Sequence, residues 1–225
     1  MATLSANYAL PNHKAFKPVR KNSLMNLQLL KDFFKKAWHF IWHEDSMASW
    51  VVNIVLAFVL VKYVVYPGLG FFLGTGFPIV AVVSGSMEHG AGFNDWWQQA
   101  SCKSLSGAYS QGEWYLAHNI TQEQFSSFSF TNGFNKGDVM ILKSAKHIKI
   151  GEVLVFRANT PFDPIIHRVV SQDKVFKTKG DHNCDSGVFE QVITQEQVLG
   201  KAVIRIPWIG WVKIGFVNLL KFVGL

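Results

Sequence analysis

Residues 47–66 read MASWVVNIVLAFVLVKYVVY, and the only clearly polar members of this stretch are Ser49, Asn53 and Lys62. At 1.5 Å per residue, about 20 helical residues cross the hydrocarbon core of a bilayer. Lys62 lies close enough to one end for its ammonium group to reach the membrane interface. The stretch therefore predicts a transmembrane helix over residues 47–66, and a buried core helix is the alternative.

The charges on either side of this helix predict its orientation. Residues 1–46 contain seven Lys and Arg against three Asp and Glu, whereas residues 67–225 contain fourteen against twelve. Because cytoplasmic flanks carry the excess of Lys and Arg, the N-terminus is predicted to be cytoplasmic and the chain after Pro67 to lie outside. No short apolar region with a small-residue cleavage site precedes the helix, which predicts an uncleaved signal anchor.

The composition of the whole chain also favours a membrane protein. Its 225 residues are 49% hydrophobic and only 16% charged, which is apolar for a soluble domain. The length beyond the anchors suffices for one domain of about 130–150 residues with its own core. The near balance of charge after Pro67 argues against nucleic acid as a partner, because a nucleic-acid-binding domain needs a basic face.

Two further segments are predicted to associate with the membrane. An apolar C-terminal segment, residues 207–225, is predicted as a helix that either crosses the membrane or lies at its surface. Within residues 1–46, apolar residues at helical spacing predict an amphipathic helix on the cytoplasmic leaflet. These apolar residues are Leu27, Leu30, Phe34, Ala37 and Ile41.

Residues 67–206 are predicted to form a mainly β domain outside the membrane. Short runs rich in Val, Ile and Phe alternate here with Gly, Pro, Asn and Asp, as is typical of strands and turns. The six predicted strands are Ile79–Ser84, Asp138–Lys143, Val153–Arg157, Ile165–Val170, Val175–Lys179 and Val198–Ile206.

Residues 90–135 interrupt this pattern of strands. They are rich in Ser, Gly, Gln and Asn, contain several aromatic residues and show no sustained period. Since structureless segments of this length are unusual in compact domains, we interpret the segment as an inserted subdomain or lid. Cys102 in the insertion and Cys184 near the end of the strand series either form a disulfide or remain two free thiols. The cysteines and histidines lack metal-site spacing, so the sequence predicts no metal and no cofactor.

Three polar segments contain residues suited to catalysis. They are Ser84-Gly85-Ser86-Met87-Glu88 at the end of a strand, His167 within an apolar strand, and the loop of residues 178–187. Taken singly, each is typical of an ordinary turn or strand. Together they supply a hydroxyl, an imidazole and carboxylates, the groups that activate a serine for acyl transfer from a peptide.

At these segments the chain resembles the type I signal peptidases of the archaeal and endoplasmic-reticulum branch. The resemblance covers about residues 47–85 and 136–210, and its motifs follow in the family's order. These motifs are Ser84-Gly85-Ser86-Met87-Glu88, Lys136-Gly137-Asp138-Val139, Gly151-Glu152-Val153-Leu154-Val155-Phe156, Ile166-His167-Arg168-Val169 and Lys179-Gly180-Asp181.

The resemblance implies a role for each matched residue. Ser86 is expected to be the nucleophile, His167 the general base, and Ser84 a hydrogen-bond donor to the oxyanion. Asp181 and Asp185 are the acidic residues expected to orient His167, and Asp185 is slightly favoured. The family's second acidic residue usually lies about six positions after the first, whereas Asp185 lies four after Asp181.

A second departure from the family pattern concerns the turn behind the nucleophile. The family usually has proline after the glutamate of the serine motif, but this chain has His89. The turn is therefore expected to be less rigid. His89 also becomes a competitor of His167 for the role of general base.

The resemblance implies a membrane-bound serine endopeptidase that removes signal peptides from exported precursors. Its partners would be signal peptides, the lipid bilayer and the secretion machinery, and its location the cell membrane or the endoplasmic-reticulum membrane. The family binds its substrate as an added strand with pockets for small side chains. The alternatives are a membrane-anchored surface binding module without catalysis and a sortase-like transpeptidase that uses Cys184.

Overall fold

The computed structural model describes residues 21–158 and 164–222. The chain divides into two compact units, residues 1–60 and residues 61–225. Three of the basic residues behind the predicted orientation, Lys14, Lys17 and Arg20, lie outside the described residues, so the orientation stays a prediction.

From residue 21 onward, the first unit contains two helices, α1 (Lys21–His43) and α2 (Met47–Leu60). The Oγ of Ser49 donates a hydrogen bond to the Phe40 carbonyl at 2.7 Å, and the Asn53 side-chain amide donates to the Ile41 carbonyl at 3.0 Å. Both carbonyls belong to the last turn of α1, where backbone acceptors lack partners within the helix. Two of the polar residues in the apolar stretch therefore satisfy the end of the preceding helix.

The predicted membrane helix is longer than the sequence suggested. Helix α2 continues through a π-helical turn (Val61–Val65) into α3 (Tyr66–Leu73). Within the described residues, this is the one helix that is long and apolar enough to cross a membrane, with 27 residues from Met47 to Leu73. Pro67 lies at the start of α3. The wider π turn before it explains why the helix does not stop at proline, whose ring clashes with a regular α-helical turn.

The second unit combines a six-stranded antiparallel sheet with short helices, so the described structure is mixed helix and sheet. The sheet has the order β1-β4-β8-β5-β6-β7, that is Ile79–Ala81, Val139–Lys143, Val198–Ile206, Val153–Phe156, Ile165–Gln172 and Phe176–Lys179. The antiparallel sheet of the predicted mainly β domain is confirmed, whereas the mainly β class of the whole chain is not. In chain order the further elements are β1 (Ile79–Ala81), α4 (Phe93–Gln98), β2 (Cys102–Ser104), β3 (Gly107–Tyr109), α5 (Gln111–Ala117), α6 (Gln122–Ser126), β4 (Val139–Lys143), β5 (Val153–Phe156), β6 (Ile165–Gln172), β7 (Phe176–Lys179), β8 (Val198–Ile206) and α7 (Gly210–Phe222).

The six sheet strands coincide with the six predicted ones, within three residues at each end. Buried residues of β4, β5 and β8 form a core with residues of the segment that carries the serine motif. Met87, directly after Ser86, is 1% exposed and belongs to this core. The packing of Met87 into this core therefore fixes the position of the serine motif. The other buried members of the core are Val82, Phe134, Met140, Leu142, Val153, Val155 and Ala202.

Residues 90–135 are structured, although no sustained period was found in their sequence. Helices α5 and α6 each begin with a capping box, at Ser110 and Thr121. The signal was therefore present in Ser110-x-x-Glu113 and Thr121-x-x-Gln124, which precede helices too short to show a period. The buried side chains of residues 90–135 form a mostly aromatic cluster together with Val170 of β6. Its members from this segment are Trp96, Trp97, Trp114, Tyr115, Ile120 and Phe125.

A disulfide joins the insertion to the main sheet. Cys102 of β2 is bonded to Cys184 in the loop after β7. Of the two alternatives that the sequence left open, the structure therefore contains the disulfide.

Helix α7 packs against the motif that begins at Lys136. Gly137 has a φ of 90°, and a Cβ atom there would lie 2.0 Å from the indole nitrogen of Trp211. Only glycine fits both the backbone angle and the close approach of the indole ring. In the described part of the chain α7 has 13 residues, and the predicted residues 223–225 lie outside it. Whether this segment crosses the membrane stays a prediction.

Candidate active site

The turn that carries Ser86 is held from two sides. On one side, the backbone N–H of Phe134 donates a hydrogen bond to the Met87 carbonyl at 3.0 Å. On the other, the backbone N–H of His182 donates to the Ser86 carbonyl at 2.8 Å. The Ser86 side chain, in contrast, is partly exposed. Backbone contacts thus fix the turn while the hydroxyl stays accessible.

His167 lies between Ser86 and a carboxylate. Its Nε2 is 2.9 Å from the Oγ of Ser86, and its Nδ1 is hydrogen-bonded to Oε1 of Glu190. His167 points to Ser86 from β6, where it pairs with Leu154 of β5. In the tautomer with the proton on Nδ1, His167 donates to the Glu190 carboxylate and the lone pair of Nε2 faces the serine hydroxyl.

The Glu190 carboxylate is buried and satisfied by three donors. Its residue is 1% exposed. Besides His167, the Thr178 hydroxyl donates to Oε1 at 3.2 Å and the Gly187 backbone N–H donates to Oε2 at 2.7 Å. These hydrogen bonds give both oxygen atoms of the buried carboxyl group a partner, which offsets the cost of removing the group from water.

The structure thus places Glu190, and neither of the two predicted aspartates, against His167. Asp185 Oδ1 instead accepts hydrogen bonds from the indole N–H of Trp114 at 3.0 Å and the Ser186 backbone N–H at 2.7 Å. Asp181 lies in a separate ion pair with Arg168. The expected contact of Asp185 or Asp181 with His167 is therefore replaced in the structure by the contact of Glu190 with His167. The loop after β7 turns the Asp185 carboxylate toward the insertion, and the carboxylate that reaches His167 is that of Glu190.

Asp181 forms the centre of a buried network next to the site. Arg168 Nη2 donates to its Oδ2 at 2.7 Å, Tyr115 donates to Oδ1 at 2.9 Å, and His89 Nε2 lies 3.0 Å from Oδ2. Burial by itself would raise the pKa of Asp181, but the Arg168 charge and the His89 hydrogen bond outweigh it and hold that pKa well below its usual range. The carboxylate is therefore ionised and serves the structure of the domain.

Asp181→Asn is expected to destabilise the fold by about 3–5 kcal/mol, because it leaves the buried Arg168 guanidinium without its counter-charge. The depressed pKa of Asp181 means that its contribution is complete above its unfolded value of about 4 and is lost as pH falls further. Thermal melts at pH 7 and below pH 4 should therefore show a large difference from wild type at the higher pH and a smaller one at the lower. Equal melting temperatures at pH 7 would contradict the assignment.

His89 is held away from Ser86. Its ring stacks on Trp96 with centroids 3.8 Å apart, and its Nε2 contacts Asp181. In this structure the imidazole in contact with the serine hydroxyl is therefore that of His167, and His89 belongs to the buried network of Asp181.

Ser84 lies beside the predicted nucleophile. Its Oγ is 3.2 Å from the Oγ of Ser86, and its side chain is exposed. A hydroxyl at this distance could turn toward an oxygen atom bound in front of Ser86. Its contribution to catalysis stays a prediction.

The sequence reasoning missed Glu190 because the loop that carries it is irregular. Glu190 lies nine residues after Asp181, in a short 3₁₀ helix (Val188–Glu190) preceded by Gly187. The one local signal is a short turn, in which the Glu190 carboxylate accepts a hydrogen bond from the backbone N–H of Gly187, three residues earlier. That signal predicts a turn, but nothing in it places the other carboxylate oxygen against His167.

The arrangement of Ser86, His167 and Glu190 can move a proton from the hydroxyl to the imidazole. The carboxylate then stabilises the imidazolium that forms, which is the logic of a serine–histidine–acid triad. Within residues 21–158 and 164–222, no group of three or more His, Cys, Asp or Glu side chains is placed to hold a metal ion.

Comparison with known proteins finds relatives of one class of enzyme. The chain is 31% identical over 109 residues to the signal peptidase complex catalytic subunit SEC11C of Homo sapiens and, equally, to that of Canis lupus familiaris. It is 31% identical over 100 residues to the signal peptidase complex catalytic subunit SEC11 of Candida albicans. No protein-family model matches the chain. These relatives confirm the resemblance to signal peptidases that the motifs indicated.

The similarity covers part of each protein. It includes 43% of this chain and 57% of the human and dog relatives, and 39% of this chain and 60% of the Candida relative. The chain therefore spans less than two thirds of the length of the curated relatives that it matches.

Proposed function

We propose that this chain is a membrane-bound serine endopeptidase that removes signal peptides, with Ser86, His167 and Glu190 as its catalytic residues. One observation carries the proposal: His167 contacts the Ser86 hydroxyl at 2.9 Å through one ring nitrogen and the Glu190 carboxylate through the other. The similarity to peptidase catalytic subunits supports the same reaction. A binding module without catalysis would have no use for this alignment.

In the proposed mechanism, the Ser86 hydroxyl attacks the carbonyl carbon of the peptide bond while His167 Nε2 takes its proton. The Oγ–C bond forms, the electron pair moves onto the carbonyl oxygen, and the Ser84 hydroxyl donates a hydrogen bond to that oxyanion. His167 then gives its proton to the leaving amine, and the peptide C–N bond breaks. Water, deprotonated by the same imidazole, hydrolyses the acyl-enzyme and restores Ser86.

The sheet offers a place for an extended substrate beside Ser86. Strand β1 (Ile79–Ala81) is at one edge of the six-stranded sheet and pairs only with β4 within it. Three residues after β1 the chain reaches Ser84 and then Ser86. A peptide added along β1 would gain main-chain hydrogen bonds and pass in front of the hydroxyl.

The apolar helix from Met47 to Leu73 supports a membrane location. We propose that residues 1–46 are cytoplasmic and that residues after the helix, including the insertion at 90–135, lie on the outer or lumenal side. The expected partners are signal peptides, lipid and other components of the secretion machinery, since the named relatives are subunits of a complex.

The proposal is tested by incubating the detergent-solubilised chain with a precursor that carries a signal peptide. The new N-terminus, determined by mass spectrometry, should follow the apolar region of the signal peptide, where small side chains precede the cleaved bond. Cleavage elsewhere, or cleavage that persists in a Ser86→Ala preparation, would refute the proposal.

Ser84→Ala is expected to lower kcat by about 10²–10³-fold, because removing one donor to an oxyanion costs that much in other acyl-transfer sites. The change should leave substrate binding nearly as it was, since the donor acts on charge that develops only in the transition state. Single-turnover kinetics separate the two effects. A wild-type rate would restrict Ser84 to a role in the turn.

A further inference from the structure

The loop after β7, residues 180–185, lies close to both Ser86 and His167. A Cβ atom on Gly180 would lie 2.8 Å from His167 Nε2 and 2.8 Å from the Ser86 carbonyl oxygen. The next residue but one, His182, donates its backbone N–H to that same carbonyl at 2.8 Å. We name residues 180–185 the clamp loop, because its backbone is hydrogen-bonded to Ser86 and lies close to His167.

The insertion holds this clamp loop through the Cys102–Cys184 disulfide, through the Trp114–Asp185 hydrogen bond and through one buried amide side chain, that of Gln111. Gln111, the first residue of α5, is 1% exposed. Its Nε2 donates hydrogen bonds to the carbonyls of Asn183 at 3.2 Å and His182 at 3.4 Å. Its Oε1 accepts a hydrogen bond of 2.6 Å from the ammonium group of Lys179.

Lys179 connects Gln111 to the first residue of the clamp loop. It is the last residue of β7 and is fully buried. Its ammonium group donates to the Gly180 carbonyl at 3.2 Å and lies 4.8 Å from the ring centres of both Trp114 and Tyr115. A charge in this position is compensated by one amide oxygen, one backbone carbonyl and two aromatic faces.

We propose that Gln111 and Lys179 are positioning residues: the buried ammonium–amide pair fixes the clamp loop and thereby aligns Ser86 with His167. The inserted segment then serves catalysis from behind the reacting groups, through α5, and is more than a lid. This inference rests on the proposed function, since it assigns the role of the same site.

The charge on Lys179 gives the proposal a pH signature. Burial lowers the pKa of Lys179, and the charge of Arg168 lowers it further. The carboxylates of Asp181, Glu190 and Asp185 raise it, and the resulting pKa is about 8. As pH rises through 8 the ammonium group loses its proton, and its hydrogen bonds to Gln111 and Gly180 weaken. We therefore expect cleavage to decline on the alkaline side near pH 8.

The decline would be distinct from unfolding. Lys179 has a pKa that is lower in the folded chain than in the unfolded chain, where it is about 10.4. Between the two values the unfolded chain binds more protons, so the contribution of Lys179 to stability increases with pH over that interval. Activity and this contribution to stability should therefore change in opposite directions above pH 8.

The test measures the single-turnover cleavage rate against pH for two substitutions of one residue. Gln111→Ala removes the acceptor of the ammonium group, which should shift the alkaline decline to lower pH and reduce kcat by up to about 10²-fold with little change in KM. Gln111→Glu places a carboxylate at the same distance, which should shift the decline to higher pH. Gln122 is a half-buried glutamine of the same insertion, and its side-chain amide donates to Asn94 and not to the clamp loop. Gln122→Ala is therefore the matched control and should show the wild-type profile.

The substrate is the same precursor that Ser86→Ala must fail to cleave, so the two proposals fail separately. If the wild-type chain cleaves the precursor and Ser86→Ala does not, the proposed function stands. Identical alkaline declines in wild type, Gln111→Ala and Gln111→Glu would then overturn the positioning role alone. Opposite shifts, with melting temperatures measured alongside to show that each variant is folded, would support it.

Discussion

Ser86→Ala is expected to reduce precursor cleavage by about 10⁶-fold in kcat, the loss typical of removing the nucleophile from a triad that acts as a unit. His167→Ala should cost about as much. The hydroxyl stays protonated and weakly nucleophilic once the imidazole is gone. The double variant should be no worse than either single one, because the members of such a unit are not additive.

The measurement is single-turnover cleavage with the new N-terminus identified by mass spectrometry, since small residual rates are otherwise masked by contaminating peptidases. Ser86 is partly exposed, so Ser86→Ala should leave the melting temperature unchanged. His167→Ala should lower it, because the buried Glu190 carboxylate loses a donor. Additive losses in the double variant would show that Ser86 and His167 do not act together.

Glu190→Gln is expected to lower kcat by about 10⁴-fold, the cost found where the acid of a comparable triad becomes an amide. The amide keeps the size of the side chain and its oxygen acceptor, but it removes the charge that stabilises the imidazolium of His167. It also permits the ring to bind in the other tautomer, with the proton on the nitrogen that should accept from Ser86.

Asp185→Asn is the matched comparison, since the same chemical change is made in the carboxylate that the sequence favoured. The asparagine oxygen can still accept from Trp114, so we expect a loss well below that of Glu190→Gln. Both variants should be assayed at pH 7, below the alkaline decline assigned to Lys179. A severe loss in Asp185→Asn beside a nearly active Glu190→Gln would return the orienting role to Asp185.

The features that sequence predicted well are those with a local physical signal. Each sheet strand is a run of apolar residues closed by turn residues, and the long helix that begins at Met47 is a continuous apolar stretch. The contact between Ser86 and His167 followed from ordered motifs, although no local pattern states that residues 81 positions apart come within 2.9 Å.

The features that sequence missed depend on contacts between distant segments. Glu190 reaches His167 only because β7 and β6 pair side by side and the irregular loop then folds back. The role of Gln111 depends on how the insertion packs on the clamp loop, and a buried glutamine has no periodic signature. The π turn before Pro67 was missed for a related reason, because proline alone predicts a stop.

The length of the helix that begins at Met47 has a consequence for where cleavage would occur. Its 27 residues extend for about 40 Å, roughly 10 Å more than a typical hydrocarbon core. Such hydrophobic mismatch is relieved by tilting, and the tilt increases as the bilayer becomes thinner. Ser86 follows this helix by only 13 residues, so this short connection would keep the proposed site near the membrane that the helix would cross. Under the proposed function, a precursor held in the same bilayer would meet the serine close to the lipid surface.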